Sequence, residues 1–136
     1  MNLYHVTAQK NLRNILVDGL DPLKSKSSLK AIFLSNDKYT ALNYGSMHAV
    51  EPYVLLEINL ADLDQSELGP DNYELQEWLE DQGEEGRLEL GVSTWDECSW
   101  EQSLEWCCQV AYHAPITAES IKVLKRYEAD EPHFSR

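Results

Sequence analysis

NLYHVTAQKNLRNILVDGL, residues 2–20, changes periodicity within a few positions. In NLYHVT the side chains alternate, Leu3 and His5 against Tyr4 and Val6, the two-residue repeat of a strand. Beyond it Leu12, Ile15, Leu16 and Leu20 recur three and four residues apart, which marks one face of a helix. Thr7 stands where that helix needs a cap. Gly19 is placed to end it, and Pro22 prevents its resumption. A polar, basic loop follows, KSKSSLK at 24–30.

Working outward, AIFLSNDKYTALNYG at 31–45 repeats the strand-then-helix order. AIFLS reads as a strand, Ser35 or Asn36 as the cap of the next helix, and Gly45 as its stop. PYVLLEINL at 52–60 alternates cleanly, which predicts a half-buried strand with Val54, Leu56, Ile58 and Leu60 inward. DNYELQEWLEDQ at 71–82 reads as an exposed helix, GEEG at 83–86 as a turn, and WEQSLEW at 100–106 as a short helix. CCQVAYHAPI and ESIKVLKRY read as the closing strands, and the tail from 128 as frayed. Helices and strands mix without a regular βαβ rhythm, so the expected class is α+β. The chain of 136 residues is expected to form one domain, with an acidic insert at about 64–105.

The net charge of −13 is concentrated in that insert, where fourteen acids face Arg87 alone. Elsewhere acids and bases balance. Such a field disfavours nucleic acid near the insert and suits a basic protein docking on 64–105. Trp78, Trp95, Trp100 and Trp106 are candidate aromatic anchors for that partner, although a solvated face is the simpler reading. Three cysteines (Cys98, Cys107, Cys108) without a CxxC pair predict free thiols, and their spacing to the histidines supports no zinc site. His48, His113 and His133 are expected on the surface. No stretch is apolar enough for a membrane span, and no secretory leader is visible, so a cytoplasmic protein is expected.

Three stretches, in their order, resemble the ADP-ribosyltransferase superfamily. LYHVT resembles its first strand, in which a His follows an aromatic residue. AIFLSNDKYTALNYG resembles the strand–helix unit of poly(ADP-ribose) polymerase-like catalytic domains. CCQVAYHAPITAESIKVL resembles their closing strands. Together these cover about half the chain. The resemblance implies a split β-sheet core with flanking helices and NAD as the substrate. His5, with Thr7 beside it, would hold the adenosine-side ribose, His5 as a hydrogen-bond donor. Tyr44 would stack on nicotinamide. Phe33, eleven residues before Tyr44, takes the place of the central aromatic residue, and Ser35 would offer a hydroxyl to the nicotinamide amide. Counted from the Pro115–Ile116 turn, the catalytic Glu position falls on Gln109, which can hydrogen-bond but carries no charge. Glu101 and Glu105 lie upstream, within reach of a shifted register.

The chemistry explains these residue types. Removing nicotinamide leaves a cationic ribosyl centre, so a site needs a ring platform, partners for ribose hydroxyls and negative potential. Lys24, Lys26 and Lys30 form the local cationic cluster for a pyrophosphate. The expected activity is therefore ADP-ribosyl transfer to a protein or nucleic-acid target. GLDPL…IFLSND also resembles the RNA 2′-phosphotransferases, here without the arginines of that family. A third possibility is a degenerate transferase fold serving as an acidic interaction module. As isolated residues His5 and Tyr44 suit a core as well as a site, so what separates these readings is whether Gln109 shares a pocket with them.

Overall fold

The structure, a computed structural model, describes residues 1–45 and 51–129. The fold is α+β, with six strands in one open antiparallel sheet of order β4-β5-β2-β1-β3-β6. The strands are β1 (Asn2–Ala8), β2 (Ile32–Ser35), β3 (Tyr53–Asn59), β4 (Leu68–Pro70), β5 (Gln109–Tyr112) and β6 (Ile121–Tyr127). The helices are α1 (Leu12–Asp18), α2 (Lys38–Gly45), α3 (Glu74–Asp81), α4 (Gly83–Leu90) and α5 (Trp100–Cys107).

The sheet is divided in the middle. β1 pairs with β3 along its whole length, from Asn2↔Asn59 to Ala8↔Tyr53. β2 pairs with β5 from Ile32↔Tyr112 to Ser35↔Gln109. Between these halves, β1 meets β2 only at Tyr4↔Ser35.

Each face of the sheet carries its own core. On one face Leu3, Ile32, Leu34, Val54, Leu56, Ile58 and Val110 pack with Ile15 of α1 and with Leu20. On the other, Tyr53, Leu55 and Tyr127 pack with Ala41 and Leu42 of α2. Strand β3 is therefore buried on both faces rather than on one, because α2 covers the side that alternation assigns to solvent. The approach of α2 is close: a Cβ on Gly45 would lie 2.2 Å from Val6 Cβ. Gly19 ends α1 at φ 80°, and a Cβ there would lie 2.1 Å from the Ile116 carbonyl oxygen. Only glycine fits that combination of backbone angle and space.

The acidic segment is built into this architecture. It supplies the edge strand β4, too short to read from pattern, and three helices with a core of Leu75, Leu79, Val92 and Cys98. Helix α3 is thus not the exposed helix expected, since Leu75 and Leu79 are fully buried. GEEG is not a turn but the first turn of α4, where Glu84 and Glu85 suit the helix dipole. Arg87 donates to the Leu79 carbonyl at 3.0 Å and so ties α4 to α3. Trp78 and Trp106 stack at 5.0 Å, nearly parallel. Together with Trp95 and Trp100 they are half-buried packing residues, not free anchors, because small helices need large apolar surfaces to hold them. No helix of the described residues is long and apolar enough to cross a membrane. The three cysteines are free and His113 is exposed; His48, His133 and the tail from 130 lie outside the described residues.

Candidate functional site

His5 sits at the seam between the halves of the sheet. Its Nδ1 lies 2.8 Å from the Phe33 carbonyl oxygen. A carbonyl only accepts, so Nδ1 carries the proton and Nε2 keeps its lone pair. Burial lowers the imidazole pKa below 6.5, partly opposed by that hydrogen bond, which favours the neutral ring. Nε2 is therefore an acceptor for a hydroxyl, not the donor that the resemblance implies.

Tyr44 lies at the last turn of α2, where Gly45 lets the helix end close against β1. Its hydroxyl donates a hydrogen bond to a Glu74 carboxylate oxygen. Desolvation, then the Glu74 contact, raises the phenol pKa, so it stays protonated. Gln109 opens β5 opposite Ser35 and is 6% exposed. Its side-chain amide makes no hydrogen bond with a described residue, whereas its backbone carbonyl accepts from Ser103 Oγ at 2.5 Å. Among the described residues the buried side-chain oxygens without a hydrogen-bond partner are Gln9 Oε1 and Asn72 Oδ1, and the Gln109 amide is not one of them.

These positions converge. His5, Phe33, Tyr44 and Gln109 line one cavity of about 270 Å³, together with Asp71, Asn72, Tyr73 and Glu74. A second cavity of about 490 Å³ shares His5, Val6 and Phe33 with it and is lined further by Thr7, Lys10, Asn14, Lys24 and Lys26. The pair forms a small compartment with aromatic walls joined at His5 to a larger one with cationic walls.

Two expected site residues are placed differently. Ser35 is fully buried, and its hydroxyl donates to the Cys108 and Asp37 carbonyls at 2.7 and 3.0 Å and accepts from Asp37 N–H. It ties β2 to the end of α5 and has no free hydroxyl for an amide. Asp37, not Ser35 or Asn36, offers its carboxylate to Tyr39 N–H and the Thr40 hydroxyl at the start of α2. Thr7 lines the larger cavity, not the smaller, and accepts from Asn11 Nδ2 at 3.2 Å. It caps no helix, because a 3₁₀ turn (Gln9–Asn11) intervenes and α1 starts only after Asn11. Of the basic cluster, Lys24 and Lys26 reach the cavity, while Lys30 donates to the Ser25 carbonyl at 2.6 Å.

The acidic residues of the site were not legible in sequence. Glu101 and Glu105 are exposed on α5 and do not line the cavity. Asp71 and Glu74 do. Asp71 is almost fully buried; its Oδ1 accepts from the N–H groups of Tyr73 and Glu74 at 2.8 Å each, which caps α3. Burial raises the pKa of both carboxylates, against the hydrogen bonds that they accept. The Asp-x-x-Glu spacing of 71–74 is a helix-start signal, but nothing in it tells which cavity the helix start faces.

No family model matches the chain, and no curated protein is similar to it in sequence. Among solved structures the chain is similar to EcPltA, with a TM-score of 0.49 at 9% identity, over 96% of this chain and 86% of that one.

Proposed function

We propose that this protein binds NAD and transfers its ADP-ribosyl group to a macromolecular acceptor. The observation that carries this reading is the shared cavity: His5, Phe33, Tyr44 and Gln109 come from four elements and line one space. Phe33 and Tyr44 both line the smaller compartment, and their aromatic faces suit a flat pyridinium ring. His5 Nε2, at the junction, accepts from a ribose hydroxyl. Lys24 and Lys26 line the compartment where the pyrophosphate would lie. Gln109 lines the same compartment, and its amide would complete the polar contacts of the nicotinamide half.

In the reaction the bond between ribose C1′ and the nicotinamide nitrogen breaks, and its electron pair leaves with the ring. The pyridinium charge is discharged and the cation passes to the ribose. A lone pair of the acceptor closes on C1′, and its proton goes to solvent. The chain's part is to hold the ring, the hydroxyls and the phosphates in register and to keep water from the cation.

A binding-only reading is favoured by Gln109, since an amide cannot offset that cation. Calorimetry with NAD, followed by release of labelled nicotinamide in the presence of a cell lysate, separates the two. Heat of binding with nicotinamide release supports transfer. Binding without release supports the binding-only reading. No heat at millimolar NAD refutes both of these NAD readings. A 2′-phosphorylated RNA that loses its phosphate only when NAD is present would instead favour the phosphotransferase reading.

A further inference from the structure

Two carboxylates of the acidic segment reach the cavity, and they differ in what remains free. Asp71 caps α3 through Oδ1 and is almost wholly enclosed. Glu74 has one oxygen, Oε2, on the Tyr44 hydroxyl, while Oε1 has no hydrogen-bond partner among the described residues. The cavity thus holds a carboxylate hydrogen-bonded to its aromatic platform, and the uncharged Gln109 lines the same cavity.

We propose that Glu74 is the catalytic carboxylate of this cavity, supplying from the start of α3 the negative charge that Gln109 lacks. This rests on the NAD reading above and goes beyond it in naming the group that stabilises the cation. As the bond from C1′ to nicotinamide breaks, Oε1 accepts from a hydroxyl of the same ribose while the positive charge develops beside it. A partly desolvated carboxylate is stabilised by a neighbouring cation more than a hydrated one is. Burial first, and then the negative charges of Asp71 and Glu77, raise the pKa of Glu74 against the hydrogen bond from Tyr44. The hydrogen bond from Tyr44 fixes the carboxylate, so little reorganisation is needed when the charge appears. On this view the charge of the acidic segment has an inward use: the segment's own core, Leu75 and Leu79 against Trp78, holds the first turn of α3 at the cavity wall.

The test compares wild type, Glu74→Gln and the double variant Glu74→Gln/Gln109→Glu in the full chain. NAD affinity is measured by calorimetry, and turnover by release of labelled nicotinamide. Gln at 74 keeps an acceptor for Tyr44 and removes the charge. The expected result is an NAD affinity within about threefold of wild type, with release slowed about 10²–10³-fold, the usual loss for one well-placed electrostatic partner. The double variant, with a carboxylate returned to the same cavity, recovers at least tenfold. Release by Glu74→Gln within threefold of wild type overturns the inference, and so does a double variant no faster than the single one. Should Glu74→Gln fail to fold, Tyr44→Phe decides: it keeps the ring and unfastens Glu74, and unchanged release overturns the inference. A wild type that binds no NAD, or binds it without releasing nicotinamide, removes the transfer reading itself; wild-type turnover with an indifferent Glu74 removes this inference alone.

Discussion

Replacing His5 separates its two roles, because each ring nitrogen has a different one. Nδ1–H bridges β1 to β2 through the Phe33 carbonyl, at a seam where the strands otherwise meet only at Tyr4↔Ser35. His5→Ala removes that hydrogen bond and leaves a carbonyl unsatisfied, which costs about 2–3 kcal/mol in stability. That corresponds to a fall in melting temperature of roughly 5–15 °C for a domain of this size. His5→Asn places an amide N–H near the position of Nδ1 and has nothing near Nε2. It should regain most of the stability while still failing to accept from a ribose hydroxyl. Lost acceptance of one hydroxyl is worth about 1.5 kcal/mol, or roughly tenfold in affinity. The assays are chemical unfolding followed by tryptophan fluorescence, and calorimetry with NAD. An Asn variant that binds NAD as wild type does would refute the role of Nε2. An Ala variant as stable as wild type would refute the seam argument.

Other outcomes follow from the same structure. Burial depresses the His5 pKa, so between 6.5 and the lower folded value the unfolded chain binds the proton that the native ring refuses, and stability falls as pH drops. The wild type should therefore lose its advantage over His5→Asn between pH 7.5 and 5.5, at a slope of at most about 1.4 kcal/mol per pH unit. Asp71 and Glu74, whose pKa values are raised, act in the opposite sense but equally in both proteins, so a gap that does not change with pH refutes the argument. Leu75→Ala, at a fully buried position beside Glu74, should cost about 2–5 kcal/mol, read as a lower denaturant midpoint. Lys24→Ala/Lys26→Ala should weaken NAD binding roughly tenfold and flatten its salt dependence, leaving stability unchanged; equal salt slopes for the variant and wild type would exclude these lysines from the phosphates.

Legibility followed the range of the forces involved. The alternation of NLYHVT and the helical spacing of Leu12, Ile15 and Leu16 are local and periodic, and both elements form close to where the pattern puts them. Phe33 and Tyr44 share a cavity because the short connection from β2 to α2 leaves few ways to fold them. Ser35 could not be read in this way. Its hydroxyl is consumed by the Cys108 carbonyl, 73 residues away, and no local pattern encodes that partner. The second buried face of β3 depends likewise on α2 lying against β1, which Gly45 permits but does not announce. In the acidic segment the charges of residues 71–82 outweighed Leu75 and Leu79, although those two residues, four apart, are the anchor of α3.

The amino-acid sequence by itself determined the α+β class and the order of most elements, because periodicity and turn chemistry act over a few residues, while a resemblance carried by three stretches singled out His5, Phe33, Tyr44 and Gln109. The tertiary structure decided which of them meet. Closing β2 against β5 brings Gln109 to the same cavity as Tyr44, and the start of α3 brings Glu74 to it. It also settled which ring nitrogen of His5 is free, since that depends on a carbonyl 28 residues away. Cavities, tautomers and carboxylate neighbours are set by contacts between distant segments, and only the closed sheet with its helices in place contains them.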